Sequence, residues 1–141
     1  MPTISPGVTA FHDVELLPSG ELQSQSVEYD LVRIESRLGD ELSFGHEAEQ
    51  EQLDEDFEIH DGIVIPLGHY SFGMTGISLE TADQRKVWGG IEYQAGDFYD
   101  GERAEISADV SWRPSGRLRL GLGYEFNDID LPQGSFVTRL V

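Results

Sequence analysis

The sequence predicts an all-β protein, an antiparallel meander of about eight strands that forms a small outer-membrane-type β-barrel or part of one. Three observations carry this. Residues 103–126 hold two runs of near-perfect alternation. Turn signals recur about every 10 to 18 residues along the rest of the chain. No stretch competes with a helical period.

In the first run Ala104, Ile106, Ala108, Val110 and Trp112 share one face, and Glu105, Ser107, Asp109 and Ser111 the other. Arg113-Pro114-Ser115-Gly116 turns the chain. Leu118, Leu120, Leu122, Tyr124 and Phe126 then alternate with Arg117, Arg119, Gly121, Gly123 and Glu125. A period of two puts each set on its own side of a strand.

The remaining elements follow in order. Residues 8–16 form a first strand, and Leu17-Pro18-Ser19-Gly20 turns it. Residues 26–38 form a long strand whose apolar face runs through Val27, Tyr29 and Leu31, then slips to Val32 and Ile34. A slip of one residue predicts a β-bulge. Gly39-Asp40 is a turn, 41–46 a strand carrying Leu42 and Phe44, and the charged stretch 47–56 a loop. Residues 57–65 form one short strand, ended by Pro66-Leu67-Gly68. A strand running from Tyr70 to about Glu80 follows, then the polar turn Thr81-Ala82-Asp83-Gln84 and a strand over 85–98. The turn at 97–101 uses Asp100-Gly101 to supply a positive φ. Residues 127–134 are the last loop, and Phe136, Thr138 and Leu140 begin a strand that breaks off. Gly89-Gly90 and Gly121-x-Gly123 lie inside strands, where glycine permits bending or close backbone approach.

Composition narrows the function. Lys and Arg total 9 against 27 Asp and Glu, a formal net charge of −18. Nucleic-acid binding needs a basic footprint, so no nucleic-acid partner is expected. The same balance argues against docking on an anionic membrane surface. With 16 Gly and 14 aromatic residues the chain reads as ordered β structure despite its acidity. It has no cysteine, which removes disulfides and thiolate chemistry. The start of the chain shows no signal-peptide pattern, and no window approaches the ~20 apolar residues of a spanning helix. The whole of 1–141 reads as one β-meander or barrel segment, a fragment of a longer chain, with residues 1–20 only faintly patterned.

The strands lengthen toward the C-terminus, to the ~9–11 residues that a tilted strand needs to cross a bilayer. Leu118, Leu120 and Leu122 are then expected to face lipid, with Trp112, Tyr124 and Phe126 near the aromatic girdles. Arg117, Arg119 and Glu125 face the lumen. Short turns such as 113–116 and longer polar loops such as 47–56 predict two unlike rims.

Several of these segments resemble one bacterial family. They are Gly96-Asp97-Phe98-Tyr99-Asp100-Gly101-Glu102-Arg103, Trp112-Arg113-Pro114-Ser115, the run from Tyr124 to Phe136, Glu55 with Phe57 and Ile59, and the run from Gly62 to Tyr70. Members of the family carry an N-terminal domain similar to carbohydrate-binding module family 9, and a long C-terminal region of unassigned function thought to form an outer-membrane β-barrel. The resemblance covers roughly residues 20–141 and places them late in the barrel region. It implies an outer-membrane location, membrane lipid as a partner, and a carbohydrate-binding domain on the same parent chain. It carries over no catalytic residue.

Residue chemistry points the same way. The acids Glu47, Glu49, Glu51, Asp54, Glu55 and Asp56 could offer oxygen ligands to Ca²⁺, but they lack the spacing of a calcium loop, and a solvated loop is the favoured reading. Asn127, Asp128 and Asp130 are favoured as turn formers over cation ligands. His12, His46, His60 and His69 are too scattered for a zinc site. There is no Gly-x-Ser-x-Gly elbow, and with 27 acids some pair would match a glycosidase separation by chance. No catalytic, cofactor-binding or metal residue is assigned, no cofactor is expected, and the chain reads as a non-enzyme.

Arg103, Arg113, Arg117 and Arg119 could form a basic ladder opposite Glu105, Asp109 and Glu125, either filling the lumen by pairing or tuning passage of an anion. The expected function is membrane scaffold or solute passage in the bacterial outer membrane. The alternative is a soluble β-sandwich module that binds carbohydrate beside a hydrolase. It expects the Leu118, Leu120 and Leu122 face to lie under a second sheet, and Trp88 and Tyr99 to cluster as a ligand platform. Because an open fragment leaves edge strands that invite aggregation, residues 1–141 alone are expected not to be a stable functional unit.

Overall fold

The computed structural model describes residues 3–5, 9–16 and 22–141. Over these the chain is all-β, without a helix, and most of it lies in one antiparallel sheet. Its strands are β1 (Thr3–Ser5), β2 (Thr9–Leu16), β3 (Leu22–Glu35), β4 (Glu41–Leu53), β7 (Gly68–Glu80), β8 (Val87–Phe98), β9 (Gly101–Ser115), β10 (Leu118–Leu131) and β11 (Gly134–Leu140). Strands β5 (Phe57–His60) and β6 (Ile63–Ile65) form a separate hairpin between β4 and β7. From β3 onward each strand of the large sheet pairs with the next one in the chain. The ladders end at β11 on one side and at β1 and β2, both against β3, on the other. The all-β meander is as expected, but the sheet is open and does not close into a barrel.

The bulge in β3 falls where the sequence places it. Register shifts between Asp30 and Val32, so Leu31 drops out of the ladder. Val27 and Tyr29 are thereby kept on the same side as Val32 and Ile34.

Other expectations need correction. Residues 47–53 are not a loop: β4 runs unbroken to Leu53 against β7. The acids there recur at period two, so Glu47, Glu49 and Glu51 share one side, and a strand with one polar side tolerates them. Residues 57–65 are not one strand, because Asp61-Gly62 breaks them into the β5–β6 hairpin, with Gly62 at φ 78°. Residues 127–131 continue β10 and do not form a loop; only Pro132 and Gln133 separate it from β11. At the β8–β9 turn the positive φ belongs to Tyr99, at 52°, and not to the Asp100-Gly101 pair. Nor do strands lengthen along the chain: β3 already has 14 residues and β8 has 12. The turn expected at Leu17-Pro18-Ser19-Gly20 lies outside the described residues.

Glycine explains itself at one of the two noted positions. A Cβ on Gly89 would lie 2.1 Å from the carbonyl oxygen of Asp109, so only glycine fits there. At Gly123 a Cβ would meet nothing, and close approach is not its reason.

Candidate membrane interface

The ladders align side chains into rows that cross six strands. Val32, Phe44, Ile77, Tyr93, Ile106 and Phe126 are in register. The row beside them is Ile34, Leu42, Leu79, Ile91, Ala108 and Tyr124. Beyond these, Val110 meets Leu122, and Trp112 lies between Val87 and Leu120. All of this is one side of the sheet, and it is open: Leu122 is 60% exposed, Trp112 50% and Ile77 48%. Among the described residues no second layer covers Leu118, Leu120 and Leu122, where the sandwich alternative expects one.

The other side is polar and shielded. One of its rows reads Arg33, Ser43, Ser78, Glu92, Ser107 and Glu125. The next reads Gly45, Gly76, Gln94, Glu105 and Asn127. Ser111 and Asn127 are only 6% and 5% exposed. Their groups are satisfied internally, as buried polar atoms must be. Arg103 pairs with Glu105 and donates from Nε to Asn127 Oδ1 at 2.9 Å. Asn127 Nδ2 donates to Glu125 Oε1 at 2.8 Å, and the Ser43 and Ser78 hydroxyls are 2.7 Å apart.

In β4, β7, β8 and β9 every Lys, Arg, Asp and Glu between the strand ends sits on this shielded side; the exceptions, Asp97 and Glu102, pair with each other at one end. The outward side of those strands is free of charge from Val87 to Ala95, roughly 20 Å once a strand rise of ~3.3 Å is tilted by about 40°.

Toward one end of the sheet the polarity exchanges sides. In β10 the outward Phe126 is followed by outward Asp128 and Asp130, while Ile129 and Leu131 turn inward and are buried. In β7 the outward Ile77 and Leu79 give way to inward Phe72 and Met74, both buried. Phe98 of β8 is inward beside outward Asp97. The inward apolar groups form a small core of Ile63, Ile65, Ile129 and Leu131, bordered by Leu53, Ile59, Tyr70 and Phe136.

The β5–β6 hairpin closes this core from within. Ile65 is fully buried, and the His60 ring stacks on Phe136 at 4.5 Å. Tyr99, at the β8–β9 turn, lies 5.0 Å from the Phe72 ring and donates its hydroxyl to Glu51 Oε2 at 2.7 Å. Burial, with Glu51 beside it, pushes the Tyr99 phenol upward. These contacts join strands that are not ladder neighbours, so the shielded side is the concave one. We call this end the capped rim; it carries residues 54–67 and the turns at 99–100 and 132–133.

The opposite rim is built of the connections 36–40, 81–86 and 116–117. Arg85 binds both carboxylate oxygens of Asp40, the second at 2.7 Å from Nη2, and Ala82 N–H donates to Asp40 Oδ1 at 3.0 Å. The Arg85 guanidinium and the Ala82 amide hold the Asp40 carboxyl at about 2, below its usual 3.8. Two turns are thereby tied together. Among the described residues the expected contrast between short-turn and long-loop rims reduces to a single long connection, 54–67.

The expected arginine ladder is dispersed. Arg113 and Arg119 flank the Trp88 ring at 5.1 and 4.8 Å, Arg119 also reaches Ser111 Oγ at 3.3 Å, and Arg117 is an exposed turn residue. Only Arg103 pairs with one of the named acids. Trp88 and Tyr99 lie at opposite ends of β8, so they form no common platform. Among the described residues no three His, Asp or Glu side chains converge in a way that could hold a metal ion. His46 Nδ1 is 3.0 Å from Thr75 Oγ1, His69 is exposed, and the side chain of His12 lies outside the described residues. The inversion of faces at the capped rim had a sequence signal: in 126–131 the apolar residues change parity, from Phe126 to Ile129 and Leu131. Comparison with known proteins finds no matching family model, no matching curated protein and no matching solved structure.

Proposed function

We propose that this chain is a segment of a bacterial outer-membrane β-barrel, a membrane scaffold or passage whose exposed apolar side contacts lipid. The observation that supports it is the charge-free outward band above a hydrogen-bonded polar interior. Water penalises such an arrangement, since exposed Ile, Leu, Tyr and Trp in register over six strands far exceed the apolar patches usual on soluble monomers. In hydrocarbon the same side is satisfied, and lipid-facing bands of barrels stand about 25 Å tall. The open edges fit a segment whose ladder continues in further strands, and the family resemblance supplies a parent with an N-terminal carbohydrate-binding domain. The proposed partners are therefore lipid and the rest of that parent chain. No catalysis is assigned.

Fractionation of the expressed full chain tests this. We expect recovery with membranes, or solubility only in detergent, together with a β-rich far-UV circular dichroism spectrum. A monomer that stays soluble in buffer and melts cooperatively would overturn the proposal and return the sandwich reading.

A further inference from the structure

The net charge of −18 hides an uneven distribution. Arg33, Arg37, Arg85, Lys86, Arg113, Arg117 and Arg119, seven of the nine cations, lie at the rim opposite the cap. That rim holds few acids: Glu35, Asp40, Glu41, Glu80, Asp83 and Asp109, out of 27 in the chain. Four of the cations are engaged locally. Arg85 is bound to Asp40 and Arg33 to Glu41, while Arg113 and Arg119 stand over Trp88. None of the ion pairs among the described residues involves Arg37, Lys86 or Arg117, and all three are exposed.

Each of these three is followed in the chain by an exposed large apolar residue. Arg37 precedes Leu38, 64% exposed; Lys86 precedes Val87, 53%; Arg117 precedes Leu118, 49%. Val87 lies in the row of Trp112 and Leu120, the last before this rim. The Asp40–Arg85 latch fixes the first two of these turns against one another.

We infer that this rim sits in the phosphate layer of one leaflet, with Arg37, Lys86 and Arg117 pairing to the phosphates of anionic lipid while Leu38, Val87 and Leu118 enter the acyl region. The inference rests on the proposed membrane setting and names its partner and the end that meets it. Cations and apolar groups at adjacent positions match the boundary between headgroup and chain, where long basic side chains reach outward to phosphate. The capped rim, with Asp97, Glu102, Asp128 and Asp130 facing outward, stands in water.

The test folds the full chain from denaturant into vesicles of phosphatidylcholine alone and of phosphatidylcholine with phosphatidylglycerol, at low and at high salt. Tryptophan fluorescence and protease protection read the inserted fraction. We expect a preference for the anionic vesicles of on the order of tenfold or more, lost at high salt and in the triple variant Arg37→Gln, Lys86→Gln, Arg117→Gln. A control at the capped rim, Asp54→Asn, Glu55→Gln, Asp56→Asn, is expected to keep the preference. Equal insertion into both compositions, or a triple variant that retains the preference, would overturn the inference and leave the barrel reading standing. Insertion into neither would overturn both.

Discussion

Strand β10 carries both characters of the molecule on one continuous backbone. Over residues 118–126 its apolar side chains point out, exposed from Leu118 to Tyr124 and half-buried at Phe126; over 127–131 the apolar residues Ile129 and Leu131 point in and are buried. From Leu120 to Asp130 the register with β9 is continuous, the one shift lying between Leu118 and Leu120, so the difference is not one of fold. It reflects what lies on either side of the strand. On the proposed membrane reading, one half meets lipid outside and a polar interior, and the other water outside and a dry core within. A β-sheet dictates two sides, and the surroundings decide which of them is greasy.

The contrast breaks most severely in the capped half. Ile65→Ala removes a fully buried side chain from the four-residue core and is expected to cost about 2–5 kcal/mol, seen as a lowered urea midpoint in any solvent that supports the fold. In the exposed half the effect depends on the medium. Leu122→Arg is expected to cost about 2–4 kcal/mol of folding in a bilayer, and Ser107→Arg, on the inward side of the neighbouring strand, far less. Equal costs for the two would mean that lipid does not touch the outward rows.

Backbone fit gives a smaller and medium-independent difference. Gly89→Ala drives a Cβ into the Asp109 carbonyl and is expected to destabilise by about 1–3 kcal/mol, whereas Gly123→Ala, with open space around it, is expected to change stability by no more than about 1 kcal/mol. Thermal denaturation of the paired variants reads this directly.

The smallest effect is a pH dependence confined to the rim opposite the cap. The Asp40 carboxyl is lowered in the folded state, so its contribution is complete above 3.8 and is lost as pH falls toward about 2. Between those values the Asp40→Asn variant is expected to show a flatter unfolding midpoint than the parent chain. Identical profiles would show that the Arg85 latch contributes nothing.

Much of this was legible in the sequence. Alternation alone locates the outward rows of β9 and β10, and the one-residue slip at Leu31 locates the β3 bulge. The failures share a cause. Glu47, Glu49 and Glu51 look like a solvated loop because charge is read as exposure, yet a polar concave side accepts acids at period two. Asn127, Asp128 and Asp130 look like turn residues, yet the ladder to β11 outweighs their local preferences and keeps them extended. The Asp61-Gly62 hairpin carries the same Asp-Gly signal as Asp100-Gly101, and the isoleucines that flank it, Ile59 and Ile63, make the stretch read as one continuous strand. The cap as a whole was invisible, because nothing local in β5 and β6 says that they fold back onto β10.

The order of the sheet has a kinetic consequence. From β3 to β11 each strand of the large sheet lies against its predecessor, and only the hairpin 57–65 interrupts the sequence. Apart from β4–β7, which closes across residues 54–67, each ladder from β3 to β11 can therefore form by closing a short turn, and the entropy lost at each of those steps stays small. Such a chain can assemble stepwise, one plank laid beside the last, and a strand newly emerged from the ribosome or the translocation machinery finds its template already waiting.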